Sequence, residues 1–203
     1  SENSNGVNRV QVRQGGQKLV AMFNGDGTKI NEIYFYFSEK LGVARLMYSY
    51  SYTSQAPCPI CSLTKAYTYD DNANVASKTN YNDYVTRYSY DLTRNLETSR
   101  TEAAGSANQR LFYTEWHPRF RLPTKTSEPL LRTSYEYDEQ GNLLSKTQQA
   151  TKDNNGAQGF SAALVGVPRR WTYSYNSYGQ LLSVTGPRTD QVDKTSYSYD
   201  AQG

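Results

Sequence analysis

Few residues here are equipped for chemistry. Cys58-Pro59-Ile60-Cys61 has the spacing of half a zinc site or of a redox pair. A structural zinc takes four ligands, and the only further soft ligand in the sequence is His117. A redox pair would precede a helix in a βαβ unit, whereas this pair precedes a strand-like stretch near Lys65. Cys58 and Cys61 therefore read as a structural loop or a local disulfide, and no metal is assigned. His117 could act as a base only beside a nucleophile and an orienting group. Trp116-His117-Pro118 reads instead as a bend with the indole packed on a sheet. Asp70, Asp91, Asp138 and Asp200 invite a reading as paired carboxylates or calcium ligands. Each of them ends a strand-like stretch and begins a turn, where an Asp side chain bonds the backbone ahead of it. Asn24-Gly25-Asp26-Gly27-Thr28 lacks the spaced acidic series and bidentate Glu of a calcium loop and reads as a β-turn.

Tyr-rich strands with aromatic rings beside arginine, as at Arg87-Tyr88 and Arg170-Trp171, could stack bases or sugars. The same spacing recurs along the chain, which favours aromatic ladders across strands over one binding site. No glycine-rich phosphate loop is present, so no cofactor is expected, and no convergent set of residues points to an enzyme.

The elements that carry these residues are repeats. The phrase Tyr-x-Tyr-Asp occurs at Tyr67, Tyr69 and Asp70, at Tyr88, Tyr90 and Asp91, and at Tyr135, Tyr137 and Asp138. It returns with Asn at Tyr173, Tyr175 and Asn176, and again at Tyr197, Tyr199 and Asp200. Successive second tyrosines are 21, 47, 38 and 24 residues apart. Two steps give a basic unit of a little over twenty residues, and two suggest longer units or insertions. YEYDEQGNLLSKT at 135–147 aligns with YSYNSYGQLLSVT at 173–185, with looser copies at 67–79 and 88–100. Each unit reads as strand, tight turn, strand: Tyr-x-Tyr puts two rings on one face, and Gly141, Gly179 and Gly203 fall where a turn needs positive φ. The Leu-Leu-Ser-x-Thr stretch resumes the extended chain. Residues 9–13, 18–23, 33–37 and 41–52 also read as strands. Residues 102–109 and 152–159 read as exposed loops, with a short helix near Ala103. An array stopping in mid-hairpin at Gly203 would leave an open sheet edge, so a continuation or a partner is expected to cover it.

Composition agrees with a folded but thinly cored chain. Leu, Ile, Val and Phe make only 35 of 203 residues, and 19 tyrosines supply the remaining large apolar faces. Net charge is +3, too weak to argue for nucleic acid. No run of about 18 apolar residues suggests a transmembrane helix.

At its tyrosine phrases the sequence resembles the bacterial Rhs/YD-repeat family, whose relatives include toxin-complex shells and teneurin ectodomains. The resemblance runs from about Tyr67 to Gly203 and is tightest at 55–70, 112–129 and 167–190. It implies an all-β fold: a spiral of antiparallel β-hairpins forming part of a hollow β-shell that encloses a C-terminal toxin or effector domain. Residues 1–66 would be degenerate strands of the same array with the Cys58–Cys61 loop, and 67–203 the repeat array proper. The partners implied are flanking parts of the same parent protein and its enclosed domain, in a bacterial protein secreted or displayed by a secretion system. The relation to teneurins leaves a second reading open, an adhesion module for glycans or cell-surface proteins. Departures from the family pattern are Asn72-Ala73-Asn74, the glycine-free Leu92-Thr93-Arg94-Asn95, and Asn176 in place of Asp. The family's Asp-Pro-x-Gly signature and a toxin domain are absent from these residues, so neither autoproteolysis nor toxicity is assigned.

Overall fold

A computed structural model describes residues 8–13, 17–23, 29–52, 64–80, 82–200 and 202. Cys58, Cys61, the Asn24–Thr28 turn and Gly203 lie outside them. The chain is built of strands: β1 (Asn8–Arg13), β2 (Gln17–Phe23), β3 (Lys29–Lys40), β4 (Val43–Tyr52), β5 (Thr64–Tyr69), β6 (Val75–Thr79), β7 (Val85–Asp91) and β8 (Leu96–Glu102) come first. They are followed by β9 (Arg110–Trp116), β10 (Pro123–Glu128), β11 (Leu131–Tyr137), β12 (Leu143–Thr151), β13 (Leu164–Tyr175), β14 (Leu181–Thr185) and β15 (Lys194–Ser196). Among the described residues the only helical element is one 3-10 turn, Gly159–Ser161. Residues 103–108 form turns, with Ala103 at φ 48° and its carbonyl accepting from both the amide and the hydroxyl of Ser106, so the helix expected there is not formed. No helix among the described residues is long and apolar enough to cross a membrane.

The chain divides into two compact units, Ser1–Tyr88 with Glu102–Ala107, and Ser89–Thr101 with Asn108–Gly203. This division falls within β7. At residue 66, where the sequence suggests a change from degenerate to regular repeats, β4 and β5 pair without a break. Within each unit the strands pair antiparallel with their neighbours in sequence. Strands that are adjacent both in sequence and in the sheet need only short connections. At the β3–β4 connection Leu41 and Gly42 both have positive φ, 52° and 72°, a two-residue turn whose twist suits a hairpin.

Burial is sparse and mostly polar. Among the described residues the buried apolar side chains are Ala73, Leu96 and Ala162, while Ser49, Ser127, Thr133, Ser145, Thr151 and Asp153 are buried polar ones.

The segment 152–159 is not the open loop its composition suggests. It folds back on the preceding strands, because its own polar groups have partners there. Asn155 and Asp153 carbonyls accept from the amides of Leu111 and Leu130, each at 2.8 Å. The Asp153 carboxylate, 2% exposed as a residue, accepts from the amides of Gln158 (2.7 Å) and Gly159 (3.2 Å). The strap then lays Phe160 beside the Tyr113 ring, with the Lys125 ammonium 5.2 Å from the Phe160 ring centre. Arg132 donates to the Phe160 carbonyl at 3.0 Å.

Candidate functional site

The recurring hairpin turn is the unit to which most of the singled-out residues belong. In the β11–β12 turn, Asp138 Oδ1 accepts from the amides of Gln140 (3.0 Å) and Asn142 (2.8 Å), and Oδ2 accepts from the Asn142 side-chain amide at 2.8 Å. The Asp138 amide in turn donates to the Asn142 carbonyl, and Gly141 closes the turn at φ 91°. The Asn142 side-chain hydrogen bond holds the Asp138 carboxyl below the usual carboxylate range against the opposing effect of burial, with backbone amides adding to it. Asp70 makes the same set with Asn72 and Asn74. There Ala73 occupies the left-handed position at φ 59°, so the departure from glycine leaves the turn intact at a cost in backbone strain. Where Asn176 replaces Asp, its Oδ1 still accepts from the amides of Tyr178 and Gln180, and its side-chain nitrogen donates to Gln180 Oε1 at 2.7 Å. The donor and acceptor of that side-chain pair have exchanged roles. At Asp91 and Asp200 the amide two residues on is bonded in the same way.

Next to the turns at Asp70, Asp138 and Asn176 the register slips by one residue. Thr68 pairs with Ser77 but Tyr69 with Val75; Glu136 with Ser145 but Tyr137 with Leu143; Ser174 with Ser183 but Tyr175 with Leu181. The extra residue on the return strand is a β-bulge, which bends the strand and increases its twist. The residue between the two tyrosines hydrogen-bonds the return-strand serine: Thr68 with Ser77 (2.7 Å), Glu136 with Ser145 (2.7 Å), Ser174 with Ser183 (2.8 Å).

In four of the five phrases the second tyrosine ties its hairpin to the one before. Tyr137 donates its hydroxyl to the Pro123 carbonyl (2.9 Å), Tyr175 to Leu143 (3.0 Å), Tyr199 to Leu181 (2.7 Å) and, in the first unit, Tyr69 to Leu46 (2.8 Å). Each acceptor residue is the one paired with the bulge-side aromatic of the previous hairpin: Trp116 with Pro123, Tyr137 with Leu143, Tyr175 with Leu181, Phe37 with Leu46. Burial, the largest influence on each, raises the phenols of Tyr69, Tyr137 and Tyr175 above their ordinary pKa.

This pattern exposes a unit hidden in the sequence. Trp116 donates its indole N–H to the Glu97 carbonyl at 2.7 Å, as a tyrosine hydroxyl does elsewhere. His117 takes the Asp position: Nδ1 accepts from the amides of Arg119 (3.2 Å) and Phe120 (3.1 Å). The β9–β10 pairing also shifts register here, between Pro123 and Lys125. The 47-residue step between Tyr90 and Tyr137 is thus two units meeting at Trp116, and the 38-residue step is one unit lengthened by the strap at 152–163. Asn80 adds a further turn of this chemistry between β6 and β7, its Oδ1 accepting from the amides of Asn82 (2.9 Å) and Tyr84 (3.0 Å).

Two tyrosine pairs stack in different ways. Tyr36 stacks across the strands on Tyr48 with centroids 4.2 Å apart, and Tyr135 stacks along its strand on Tyr137 at 6.5 Å. Other rings lie under cations: Tyr67 under Lys65, Tyr88 under Lys78, Phe112 under Arg100, and Trp171 under both Lys146 and Arg169. A cleft of about 580 Å³ separates the Asp138 and Asn176 turns, lined by Gln140, Leu144, Tyr175 and the exposed Tyr178. The turn carboxylates described above are engaged in holding turns. Among the described residues no group of three or more His, Cys, Asp or Glu side chains could hold a metal.

No family model matches the chain, and no curated protein does. Among solved structures, the Photorhabdus luminescens Tc holotoxin pore superposes with a TM-score of 0.55 at 13% identity, over 88% of this chain and 9% of the other. A TcdB2–TccC3 crystal structure gives a TM-score of 0.55 at 12% identity, over 88% of this chain and 10% of the other. The chain therefore spans about a tenth of the chains it resembles. It shares their fold, an antiparallel β-hairpin array, which is the fold that the tyrosine phrases imply.

Proposed function

We propose that this chain is a structural wall segment of an Rhs-type shell, a bacterial container that encloses a toxin or effector domain. The observation that carries this reading is the hydroxyl-to-carbonyl stitching by which Tyr69, Tyr137, Tyr175 and Tyr199 each tie their hairpin to the one before. It lets a sheet extend without an aliphatic second layer, as a thin barrier requires. The fold shared with Tc toxin structures supports the same role. In this reading the chain is not an enzyme: its Asp, Asn and His side chains serve turns. Its partners are the rest of the parent polypeptide and the enclosed domain, and the assembled protein is secreted from the bacterium.

A protection assay on the natural polypeptide that carries these residues tests the proposal. An enclosed domain resists added protease in the intact protein and becomes sensitive when the hairpins β9–β14 are removed. Digestion of that domain at the same rate in both proteins would overturn it. The cleft beside Tyr178 favours a second reading, saccharide binding, because an exposed ring flanked by amides suits a sugar face. Saturable binding on a glycan array that is lost in Tyr178→Ala would support that reading.

A further inference from the structure

The His117 turn differs from its fellows in one atom. In the other turns the acceptor is oxygen. Here it is an imidazole nitrogen, which accepts only through a free lone pair, so the two amides of Arg119 and Phe120 require Nδ1 to be unprotonated. The ring is confined, stacked on Phe120 at 4.9 Å and met edge-on by Tyr137 at 6.3 Å.

The charged groups around the turn are mainly cations. From the β7–β8 turn, Arg94 donates to the carbonyls of His117 and Phe120, each at 2.7 Å. Arg119 and Arg121 belong to the turn itself, and Arg121 donates to the Asn95 carbonyl. Of the carboxylates on the elements packed here, Asp91 accepts from the Thr93 amide, Glu97 pairs with Arg100, Glu115 with Lys125 and Glu136 with Arg170, Asp138 serves its own turn, and Glu139 stands beside it in that turn.

We propose that the His117 turn is a proton-sensitive joint, closed when the imidazole is neutral and opened when Nδ1 takes a proton. Protonation replaces an acceptor with a donor facing two other donors, and places a positive ring among three arginines. Imidazole is the side chain whose ordinary titration falls between pH 5 and 8. The closed turn leaves no place for a proton at Nδ1 and the open one does, so acid favours the open turn. Opening frees the anchors of Arg94 and loosens the β9–β10 hairpin, whichever role the array serves.

The chain contains a single histidine, which makes the test direct. Urea unfolding at pH 7.5, 6.5 and 5.5 is expected to show the folding equilibrium constant falling about tenfold across the range, the one-proton linkage allowing at most a tenfold fall per pH unit. His117→Asn presents an oxygen to the same two amides, as Asn176 does in its own turn, and is expected to remove the fall. A flat wild-type profile, or the same fall in His117→Asn, overturns the proposal. Amide resonances of the wild type give an independent reading. Those of Arg119 and Phe120 move with the imidazole titration while those of Gln140 and Asn142 stay still, and immobile Arg119 and Phe120 resonances overturn it as well.

Discussion

A phenol hydroxyl distinguishes the second tyrosine of each phrase from an ordinary buried ring. Removing it from Tyr137 or Tyr175 leaves the ring in place and orphans a carbonyl, so Tyr137→Phe and Tyr175→Phe are each expected to cost about 1 kcal/mol, read as a lower urea midpoint. Leu41 presents the opposite case. It is 69% exposed and sits at φ 52° in a two-residue turn. Leu41→Asn is expected to gain about 0.5–1 kcal/mol, because Asn-Gly suits both positive dihedrals and little burial is lost. The depressed carboxyl of Asp138 sets an acid limit. Its contribution is complete above the ordinary carboxylate titration and is lost as pH falls through the lowered folded value. Stability of the wild type should thus decline below about pH 4, and Asp138→Asn, which keeps the Oδ1 acceptor, should flatten part of that decline.

At the scale of elements, the hairpins and the strap differ in how readily the sequence reveals them. Tyr-x-Tyr followed by Asp or Asn is legible because identical atoms recur at identical offsets. Trp116-His117 does not spell the phrase, because an indole N–H and an imidazole nitrogen make the same bonds with different letters. Its trace in the sequence was an aromatic residue 21 positions before Tyr137, the basic repeat length. The strap reads as an open loop because composition counts its polar residues and glycines. It does not show that Asp153 turns inward to satisfy two amides of its own segment. Gly156 is the point at which the strap meets the sheet. At φ 80° it leaves no room for a Cβ, which would collide with the Leu111 carbonyl oxygen. Gly156→Ala should detach the strap at a cost of about 2–3 kcal/mol, seen as new protease cleavage within 152–163 while the turns at Asp138 and Asn176 remain protected.

At the scale of the molecule, few large apolar side chains among the described residues are withdrawn from water, and hydrogen bonds join many of their strands and turns. Exposure of apolar surface raises heat capacity on unfolding and exposure of polar surface lowers it. Calorimetry should therefore give a change below the usual ~12–15 cal/mol/K per residue, and a value within that range would mean a larger apolar core than the described residues contain. The composition made this thin core legible, since tyrosine outnumbers every aliphatic residue type. The stitching between hairpins was not legible, because nothing in a letter tells which carbonyl a hydroxyl will meet. That stitching has a polarity. Pro123 precedes Tyr137, Leu143 precedes Tyr175, Leu181 precedes Tyr199, and Leu46 precedes Tyr69, so the acceptor has always been synthesised before its donor. A ribosome thus delivers each new phenol to a docking point that has already emerged, and the array can be closed rung by rung during translation without waiting for residues still to be made.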